Sequence, residues 1–272
     1  MQSIYDGLDN SKDPKQRDYC SMCVFGDLGK GKSTFIRQQA KFYIERTRDK
    51  KVPRKVLICD PSRATAFDEF PQITLTELKY GVINPQTRKA QRWDRGIRVL
   101  RNVKWKDPSW FQILSTWFRN GLVILDESRN YIPQKSEMPE EQIEFFTIHR
   151  NNCIDVMVVS HDFMSMNLLL RKAFRIYIVF RTGDKPNHEA WFTVRTLPEE
   201  LYAIWTTLQR LRSPAAKMSP FVLYDRETGR TKLYADLDKL EILVPDPENP
   251  TLHQSIPYRK FNGKQTLITK NN

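Results

Sequence analysis

One short segment has the residue types and spacing of a phosphate-binding loop. Residues 26–33 read GDLGKGKS and match the pattern G-x-x-x-x-G-K-[ST], after an apolar run and before a helical pattern. The glycines allow backbone N–H groups to curl around a phosphate, and the N-terminus of the following helix adds partial positive charge. We expect Lys32 to reach the β- and γ-phosphates, Ser33 to bind Mg²⁺ and Thr34 to contact the α-phosphate. The predicted nucleotide-binding residues are Gly26, Asp27, Leu28, Gly29, Lys30, Gly31, Lys32, Ser33 and Thr34.

Two consecutive acidic residues lie at the end of a second apolar run, LVILDES. We expect Asp126 to hold Mg²⁺ through water, and Glu127 to orient and polarise the attacking water. The alternative is that Glu127 caps the following segment and that only Asp126 takes part in the chemistry. Together with residues 26–34, this pair indicates hydrolysis of a nucleoside triphosphate, with ATP as the expected substrate.

Strands that alternate with helices must position these residues. Apolar runs at 19–25, 55–59, 96–103, 121–126, 155–160 and 174–180 predict strands, and residues 121–126 are typical of a strand buried on both faces. Helical patterns lie at 34–48, at 110–119 and from Pro139 to about His149. This alternation predicts an α/β fold with a doubly wound, mainly parallel sheet.

The sequence pattern changes after residue 180. The strand EAWFTVR indicates a hairpin, a helix is expected from Pro198 to about residue 212, and residues 221–237 predict a second hairpin around ETGR. The last 35 residues are rich in Pro, Asn and Lys. We therefore expect an N-terminal arm at 1–17, an ATPase domain at 18–212, and a C-terminal hairpin with an extended tail at 213–272.

Composition limits the class of protein. The chain has 272 residues, 40% of them hydrophobic, and a net charge of +12, which suits one large folded domain with an affinity for polyanions. No apolar stretch reaches the roughly 18–20 residues of a membrane span, and the polar N-terminus lacks a secretory signal. We therefore expect a cytoplasmic protein. The CxxC of Cys20 and Cys23 lies in an apolar run, where buried cysteines are expected to act as small apolar residues.

Three segments make the chain similar to a known superfamily. GDLGKGKS, the Asp60–Pro61 pair and LVILDES resemble the HerA/FtsK superfamily of ring-forming ATPases. The stretch from LDESRNYIP to HRNNCIDVMVVSHD is similar to zonular-occludens-toxin-like proteins of filamentous phages, and the same core occurs in viral genome-packaging ATPases. The resemblance covers about residues 18–182. It implies a RecA-like P-loop NTPase core of the additional-strand, catalytic-glutamate class.

The resemblance also implies roles for residues outside the two motifs. Ring ATPases place their sites between subunits, and a neighbour supplies an arginine to the transition state. Arg150 best matches that position, with Arg171 and Arg175 as second choices, and the alternative for each is an ordinary surface arginine. His161 stands where relatives usually carry Gln. It is the candidate γ-phosphate sensor, the alternative being a histidine whose hydrogen bonds are satisfied by a neighbouring loop.

The segment from Lys79 to Asp107 combines cations with aromatic side chains. This combination suits contact with a nucleic-acid backbone and stacking on the bases of single strands. The alternative is a solvated surface that binds nothing. The residues concerned are Lys79, Tyr80, Arg88, Lys89, Arg92, Trp93, Arg95, Arg98, Arg101, Lys104, Trp105 and Lys106.

These features together predict a Mg²⁺-dependent ATPase that forms a homo-oligomeric ring, expected to be a hexamer, and translocates DNA without sequence specificity. Relatives among the filamentous phages usually carry a membrane span after this domain; its absence here favours viral genome packaging. The protein would then lie in the host cytoplasm or in the virion, with capsid or membrane-associated viral proteins as partners. The first alternative is a phage morphogenesis or extrusion ATPase. The second is a nucleotide-dependent binding module with negligible turnover.

Overall fold

The described residues form an α/β fold around a large sheet. The structure is a computed structural model that describes residues 20–47, 54–134, 137–161, 166–182, 204–205, 208–209, 221–227, 230–236, 239–245, 253–257, 260–261 and 264–265. The predicted arm at 1–17 and the predicted strand EAWFTVR lie outside these ranges. The elements are β1 (Ser21–Phe25), α1 (Lys32–Thr47), β2 (Lys55–Cys59), α2 (Leu75–Tyr80), β3 (Val82–Ile83), β4 (Ala90–Gln91), β5 (Gly96–Leu100), α3 (Ser109–Trp117), β6 (Gly121–Leu125), α4 (Glu140–Ile148), β7 (Ile154–Ser160), α5 (Leu168–Ala173), β8 (Ile176–Phe180), β9 (Phe221–Asp225), β10 (Arg230–Asp236), β11 (Lys239–Pro245), β12 (His253–Pro257), β13 (Lys260–Phe261) and β14 (Lys264–Gln265).

The strand order places an additional strand at the centre of the sheet. In the described part of the chain, ten strands pair in the order β12-β11-β10-β9-β8-β1-β7-β6-β2-β5. The six strands from β8 to β5 in this order run parallel. β7 separates β1, which precedes the glycine-rich loop, from β6, which precedes the acidic pair. The predicted doubly wound, mainly parallel sheet is confirmed, and its order is that of the additional-strand class.

Burial on both faces explains the continuous apolar sequences of the central strands. Every residue of β1, β2 and β6 is buried. Successive side chains of a strand point to opposite faces. Along β6, Leu122 therefore packs in one cluster with Phe35 of α1, whereas Val123 packs in the opposite cluster with Phe111 of α3. The helices cover both sides of the sheet and leave its edges and strand ends for function.

The helices among the described residues are short. They contain between 6 and 16 residues. A bilayer-spanning helix needs about 20 predominantly apolar residues. None of these helices combines the length and the hydropathy needed to span a bilayer.

Four antiparallel strands, β9 to β12, extend the sheet beyond β8. The β9–β10 hairpin agrees with the sequence prediction, and residues 204–205 and 208–209 of the predicted helix are helical. The structure differs where the sequence predicts an extended tail, because β11 and β12 lie in that segment. The alternation of Leu240, Ile242 and Val244 is a strand pattern, and a proline such as Pro245 is compatible with the end of a strand.

The carboxyl ends of the parallel strands meet at one edge of the sheet. Gly26 follows β1, Asp60 follows β2, Asp126 follows β6 and His161 follows β7. In open α/β sheets, ligands bind at this edge. The sheet therefore gathers residues from four distant parts of the sequence in the place where a site is expected.

A buried ion pair stabilises this edge beside β5. Arg101 donates to Asp60 Oδ2 at 2.9 Å and to Asp68 Oδ1 at 2.7 Å. Asp60 is fully buried and also accepts hydrogen bonds from the Ser62 hydroxyl and the Ala64 N–H. Removing one member of a buried pair leaves the other charge uncompensated, which is strongly destabilising. Arg101 thus has a structural role, although it belongs to the basic stretch in the sequence.

The cysteines within or next to β1 and β2 lie in the hydrophobic interior, as expected. Cys20, Cys23 and Cys59 are buried. Cys23 Sγ lies 3.3 Å from Met166 Sδ, a contact within the core. In the ranges that the structure describes, no three His, Cys, Asp or Glu side chains are grouped as they would be around a metal ion.

Candidate functional site

The glycine-rich segment forms a curled loop between β1 and α1. Lys32 is the first residue of the 16-residue helix α1, so the positive end of that helix directly follows the loop. Gly29 and Gly31 have φ angles of 74° and 89°, a region that favours glycine. A Cβ atom at Gly26 would lie 2.5 Å from Phe180 Cβ, so the close approach of the loop to β8 requires glycine. These glycines permit the backbone geometry that a phosphate-binding loop needs.

Backbone hydrogen bonds hold the start of this loop against the neighbouring strands. The Gly26 N–H donates to the His161 carbonyl oxygen at 3.2 Å, and the Asp27 N–H donates to that of Arg181 at 3.3 Å. His161 follows β7 and Arg181 follows β8, the two strands that flank β1. The sheet therefore sets the position of the loop.

The side chains of the loop differ in exposure. Lys32 is buried, with 8% of its surface accessible, whereas Leu28 at the tip is 73% exposed. The other side chains predicted to bind nucleotide, those of Asp27, Lys30, Ser33 and Thr34, are half-buried.

Lys32 lies over the start of the loop. Its ammonium donates to the Gly26 carbonyl oxygen and, at 2.9 Å, to that of Asp27. Burial lowers the pKa of Lys32, while the nearby carboxylates of Glu127 and Asp126 raise it in partial compensation. An anion at the loop would therefore meet a cation already held in place and facing the acidic pair.

Asp126 is the buried member of the acidic pair. Its backbone N–H donates to the Cys59 carbonyl oxygen at 3.1 Å, and its Oδ1 accepts from the Glu127 N–H at 3.0 Å. Burial, together with the charges of Glu127 and Asp60, raises the pKa of Asp126 to about 7. A divalent cation would relieve this unfavourable crowding of negative charge.

The donor set fits Mg²⁺. Among the described residues, Asp126 Oδ2 accepts no hydrogen bond, so this oxygen keeps its lone pairs for a cation or its water. Ser33 lies in the first turn of α1, directly after Lys32. Oxygen ligands of this kind are those that Mg²⁺ prefers, with phosphate oxygens and water completing the shell. Ser33 and Asp126 are therefore the residues that would hold it.

Glu127 has a left-handed backbone conformation, with φ 48° and ψ 49°. For a residue other than glycine, asparagine or aspartate, such a conformation costs about 1 kcal/mol or more. Its carboxylate lies against the ring of His161, with Oε1 and Oε2 at 2.8 and 2.7 Å from Nε2. The strained backbone accompanies a carboxylate that lies towards the phosphate-binding loop.

His161 connects the two motifs. Its Nδ1 lies 3.4 Å from Lys32 Nζ, on the side of the ring opposite to Glu127. The side chains of His161 and Glu127 are only 11% and 15% exposed. The phosphate-binding loop and the acidic pair thus converge through a continuous series of polar contacts, and the described contacts of the ring are to Lys32 and Glu127.

Two residues after the acidic pair contact the site, although no sequence motif indicates them. The Tyr131 hydroxyl donates to the Asp126 carbonyl oxygen at 2.7 Å, and its ring packs between Trp105 and Trp110. Arg129 Nε lies 3.4 Å from Glu127 Oε2. The positions of these residues just after LVILDE are the signal that could have singled them out.

Arg150 lies at the other end of β7 from the site of its own chain. It is exposed and precedes β7, whereas His161 follows it. A strand of this length, seven residues, separates them by about 20 Å at roughly 3.3 Å per residue. The side chain of Arg150 therefore does not reach the site of its own chain.

The second-choice arginines are less suited to that role. Arg175 is paired with Asp225 at 3.3 Å and with Glu227 at 2.7 Å, and its side chain is 20% exposed. These ion pairs join the start of β8 to the end of β9. The side chain of Arg171 lies outside the described part of the structure.

The tryptophans of the basic stretch serve packing. Trp93 is 8% exposed, and the Lys55 ammonium lies 5.2 Å from its ring centroid. Trp105 packs against Trp110 with ring centroids 5.3 Å apart. This use of the rings differs from the predicted stacking on bases, because Trp93 is buried and Trp105 is half-buried against Trp110 and Tyr131.

Two exposed cations of this stretch lie on the β3–β4 hairpin, and the other exposed cations follow it, namely Arg92, Arg95, Lys104 and Lys106. Asn84 Oδ1 accepts hydrogen bonds from two backbone N–H groups of the turn, which fixes its shape. Arg88 and Lys89 are exposed on this turn. Tyr80, 65% exposed, immediately precedes the hairpin. The β3–β4 hairpin is therefore one part of the candidate nucleic-acid surface.

Solved structures share the fold of this chain. The genome packaging NTPase B204 from Sulfolobus turreted icosahedral virus 2, in complex with AMP, has a TM-score of 0.57 and 15% identity over 81% of this chain and 97% of that chain. The DNA-packaging ATPase B204 from Sulfolobus turreted icosahedral virus has a TM-score of 0.54 and 15% identity over 79% and 96%. These similarities confirm the RecA-like P-loop fold that the resemblance to HerA/FtsK ATPases implies.

One further solved structure and two sequence comparisons do not identify a family for this chain. The N-terminal domain of zonular occludens toxin from Neisseria meningitidis has 14% identity over 90% of this chain and 96% of that chain, but its TM-score of 0.37 is too low to support an inference. Comparison of the sequence with protein-family models finds no match, and neither does comparison with curated proteins.

Replacing Tyr131 by Phe should impair the site while leaving the core packed. The variant keeps the ring contacts and loses the hydrogen bond to Asp126, which is expected to cost about 1 kcal/mol of unfolding free energy. We expect nucleotide turnover to fall severalfold, because the backbone of the acidic pair loses its support. Tyr43→Phe is the matched control, since the Tyr43 hydroxyl donates to Asp155 at 2.7 Å near the opposite edge of the sheet. Equal losses of turnover in both variants would contradict a specific role for Tyr131.

In the absence of nucleotide, replacing Asp126 by Asn should stabilise the protein, and the gain in stability should depend on pH. The pKa of Asp126 is raised from 3.8 to about 7, so the native state binds this proton more tightly than the unfolded state. The wild type should therefore lose stability as pH rises from about 4, and the loss should level off above about 7. We expect the advantage of the variant to grow over this range to at most about 4 kcal/mol. Urea unfolding at several pH values measures it, and an advantage independent of pH would contradict the assignment.

Proposed function

We propose that the protein binds MgATP at the carboxyl edge of its sheet and hydrolyses it to ADP and phosphate. The observation that carries the proposal is the series of contacts from Lys32 through His161 to Glu127, which joins the loop and the acidic pair across β7. Further support comes from the shared fold with B204, described in complexes with AMPPCP and ATP-gammaS.

Each group of the site has a distinct part in this reaction. The ammonium of Lys32 and the N–H groups at the start of α1 would bind the phosphates. Glu127 would accept a hydrogen bond from a water molecule and orient it for attack on the γ-phosphorus. When bound by Ser33 and Asp126, Mg²⁺ supplies positive charge that offsets the charge on the phosphate oxygens.

We further propose that the protein acts as a ring, expected to be a hexamer, in which a neighbouring subunit supplies Arg150. The support is geometric: Arg150 is exposed and precedes β7, whereas the site of its own chain follows that strand. A heterologous interface that repeats around a ring would bring this end of one subunit to the site of the next.

DNA is the proposed substrate of the motor, and viral genome packaging is the proposed process. A net charge of +12 favours a polyanion, and the β3–β4 hairpin presents Arg88 and Lys89 to solvent. The proteins with the same fold are named as a genome-packaging NTPase and a DNA-packaging ATPase. Capsid proteins or membrane-associated viral proteins would then be partners, in the host cytoplasm or in the virion.

One observation favours a second candidate, a nucleotide-dependent binding module with little turnover. Both carboxylate oxygens of Glu127 lie within 2.8 Å of His161 Nε2, so the carboxylate is occupied by a protein group. A module that binds ATP and stays in this state would act as a switch. Measured turnover separates the two candidates.

Two variants test the enzyme directly. Glu127→Gln should bind ATP with similar affinity and lose turnover by about 100-fold or more, because an amide is a poor acceptor for the proton of the water. Lys32→Ala should lose ATP binding itself. Glu144→Gln, an exposed position on α4, is the matched control and should behave as the wild type. ATP affinity by calorimetry and phosphate release by a colorimetric assay give both quantities. Unchanged turnover in Glu127→Gln would favour the binding module.

Mixing two inactive variants tests whether Arg150 of one subunit acts at the site of the neighbouring subunit. In mixed rings of Arg150→Ala and Glu127→Gln subunits, sites that combine an intact Glu127 with an intact neighbouring Arg150 regain function. Random mixing in equal amounts should restore about one quarter of the sites, because each interface draws on two different subunits. Arg175→Ala mixed in the same way should show no such recovery, since Arg175 pairs within its own chain. Absence of recovery with Arg150→Ala would remove it from this role.

The hairpin as a DNA contact is tested by salt dependence. The double variant Arg88→Ala, Lys89→Ala should weaken binding of single-stranded DNA and reduce the slope of log affinity against log salt by about 1.4. The control is Arg37→Ala, Lys41→Ala, which removes the same charge from α1 at residues that pair with Glu69. Fluorescence anisotropy at several salt concentrations measures both slopes. Equal effects of the two double variants would indicate a general charge effect and no contact at the hairpin.

A further inference from the structure

His161 lies between two groups with opposite hydrogen-bonding demands. Its Nδ1 faces the Lys32 ammonium at 3.4 Å, and its Nε2 faces the Glu127 carboxylate at 2.7 Å. An ammonium only donates hydrogen bonds, and an ionised carboxylate only accepts them. The ring therefore meets a donor on one side and an acceptor on the other.

These partners select one form of the neutral ring. The nitrogen that faces the ammonium must offer a lone pair, so Nδ1 is unprotonated. The proton of a neutral imidazole then resides on Nε2, from which it is donated to Glu127. Lys32 thus favours the form of His161 that holds Glu127, even though Lys32 does not touch the carboxylate.

A γ-phosphate at Lys32 would reverse the demand on Nδ1. Phosphate oxygens are acceptors, so a ring nitrogen next to them is favourable only when it carries a proton. If the ring stays neutral, a proton on Nδ1 leaves a lone pair on Nε2, opposite the carboxylate of Glu127. Two acceptors cannot share a hydrogen bond, and the carboxylate would separate from the ring and become available to a water molecule.

We propose that His161 positions Glu127 according to the occupant of the phosphate-binding loop, through the location of its ring proton. Without a γ-phosphate, Nε2–H holds the carboxylate. When the γ-phosphate meets Nδ1, one proton leaves Nε2 for solvent and one is taken up at Nδ1, so the ring stays neutral and Glu127 is released. The proposal rests on the proposed function, because it requires ATP to bind with its γ-phosphate at Lys32.

The surroundings of Glu127 would keep its carboxylate near the phosphate-binding loop after the contact with His161 is lost. Its backbone is fixed independently of His161, because its N–H donates to Asp126 Oδ1 at 3.0 Å. Arg129, 3.4 Å from Oε2, remains as a cationic partner on the exposed side. The carboxylate therefore keeps its place near the loop when the histidine contact is lost.

Nitrogen-15 NMR of the histidine rings tests the proposal, because the two ring nitrogens report directly which of them carries the proton. The full chain contains four histidines, and His161→Gln assigns the relevant signals. We expect Nε2–H in the nucleotide-free protein and with ADP, and Nδ1–H with a non-hydrolysable ATP analogue. A proton that stays on Nε2 with the analogue, or protons on both nitrogens, would overturn the proposal.

His149 is the internal control. Its Nδ1 lies 2.8 Å from the Phe146 carbonyl oxygen, which requires Nδ1–H in every state. Binding of the analogue is measured separately by calorimetry. Binding without a change at His161 contradicts only this inference, whereas failure to bind overturns the proposed function as well.

A second measurement isolates the part played by Lys32 without any nucleotide. Lys32→Met removes the ammonium that faces Nδ1, and the bias towards Nε2–H should weaken, so that an Nδ1–H signal appears. Lys41→Met removes the same charge from an exposed position on α1, and should leave the His161 signals unchanged. An identical spectrum for Lys32→Met and the wild type would show that Lys32 does not set the ring proton.

Discussion

Parallel pairing of β1, β7 and β6 is the constraint on which the site depends. Three strands that run in one direction end at one edge, and each ends in a residue of the site. Because β7 is the middle strand, its terminal histidine reaches the lysine after β1 and the glutamate after β6. Any change in strand order or direction would separate groups that act within 4 Å of one another.

The acidic residues at this edge differ in how far other groups of the protein already balance their negative charge. Asp60 is saturated by Arg101, a serine hydroxyl and a backbone N–H, so its charge is balanced within the fold. Asp126, equally buried, has no cation among the described residues at hydrogen-bonding distance, and its pKa rises to about 7. The first acid stabilises the frame of the site, and the second is suited to a metal that arrives with its nucleotide.

The sequence was sufficient to predict those structural features whose physical cause lies in neighbouring residues. The continuous apolar runs gave the parallel strands, and the glycine spacing gave the loop. It was insufficient to predict the role of a residue whose partner is distant in the sequence. Arg101 reads as a free cation until Asp60 is placed beside it, and Trp93 reads as a stacking surface until the core covers it. The pairing of His161 with Glu127 was likewise beyond a single sequence, because the resemblance suggested a contact with phosphate.

At position 127, the residue types that suit the left-handed backbone differ from the one that the proposed reaction requires. Glycine, asparagine and aspartate adopt that conformation more easily than glutamate does. Substitution of Glu127 by one of these three residues would therefore relieve backbone strain, while it shortens or removes the side chain that contacts His161. Under the proposed function, a lineage released from selection for turnover should lose this glutamate before it loses the hydrophobic core. Under the same proposal, its persistence in a relative with an otherwise divergent sequence would be a sign of continued selection for turnover.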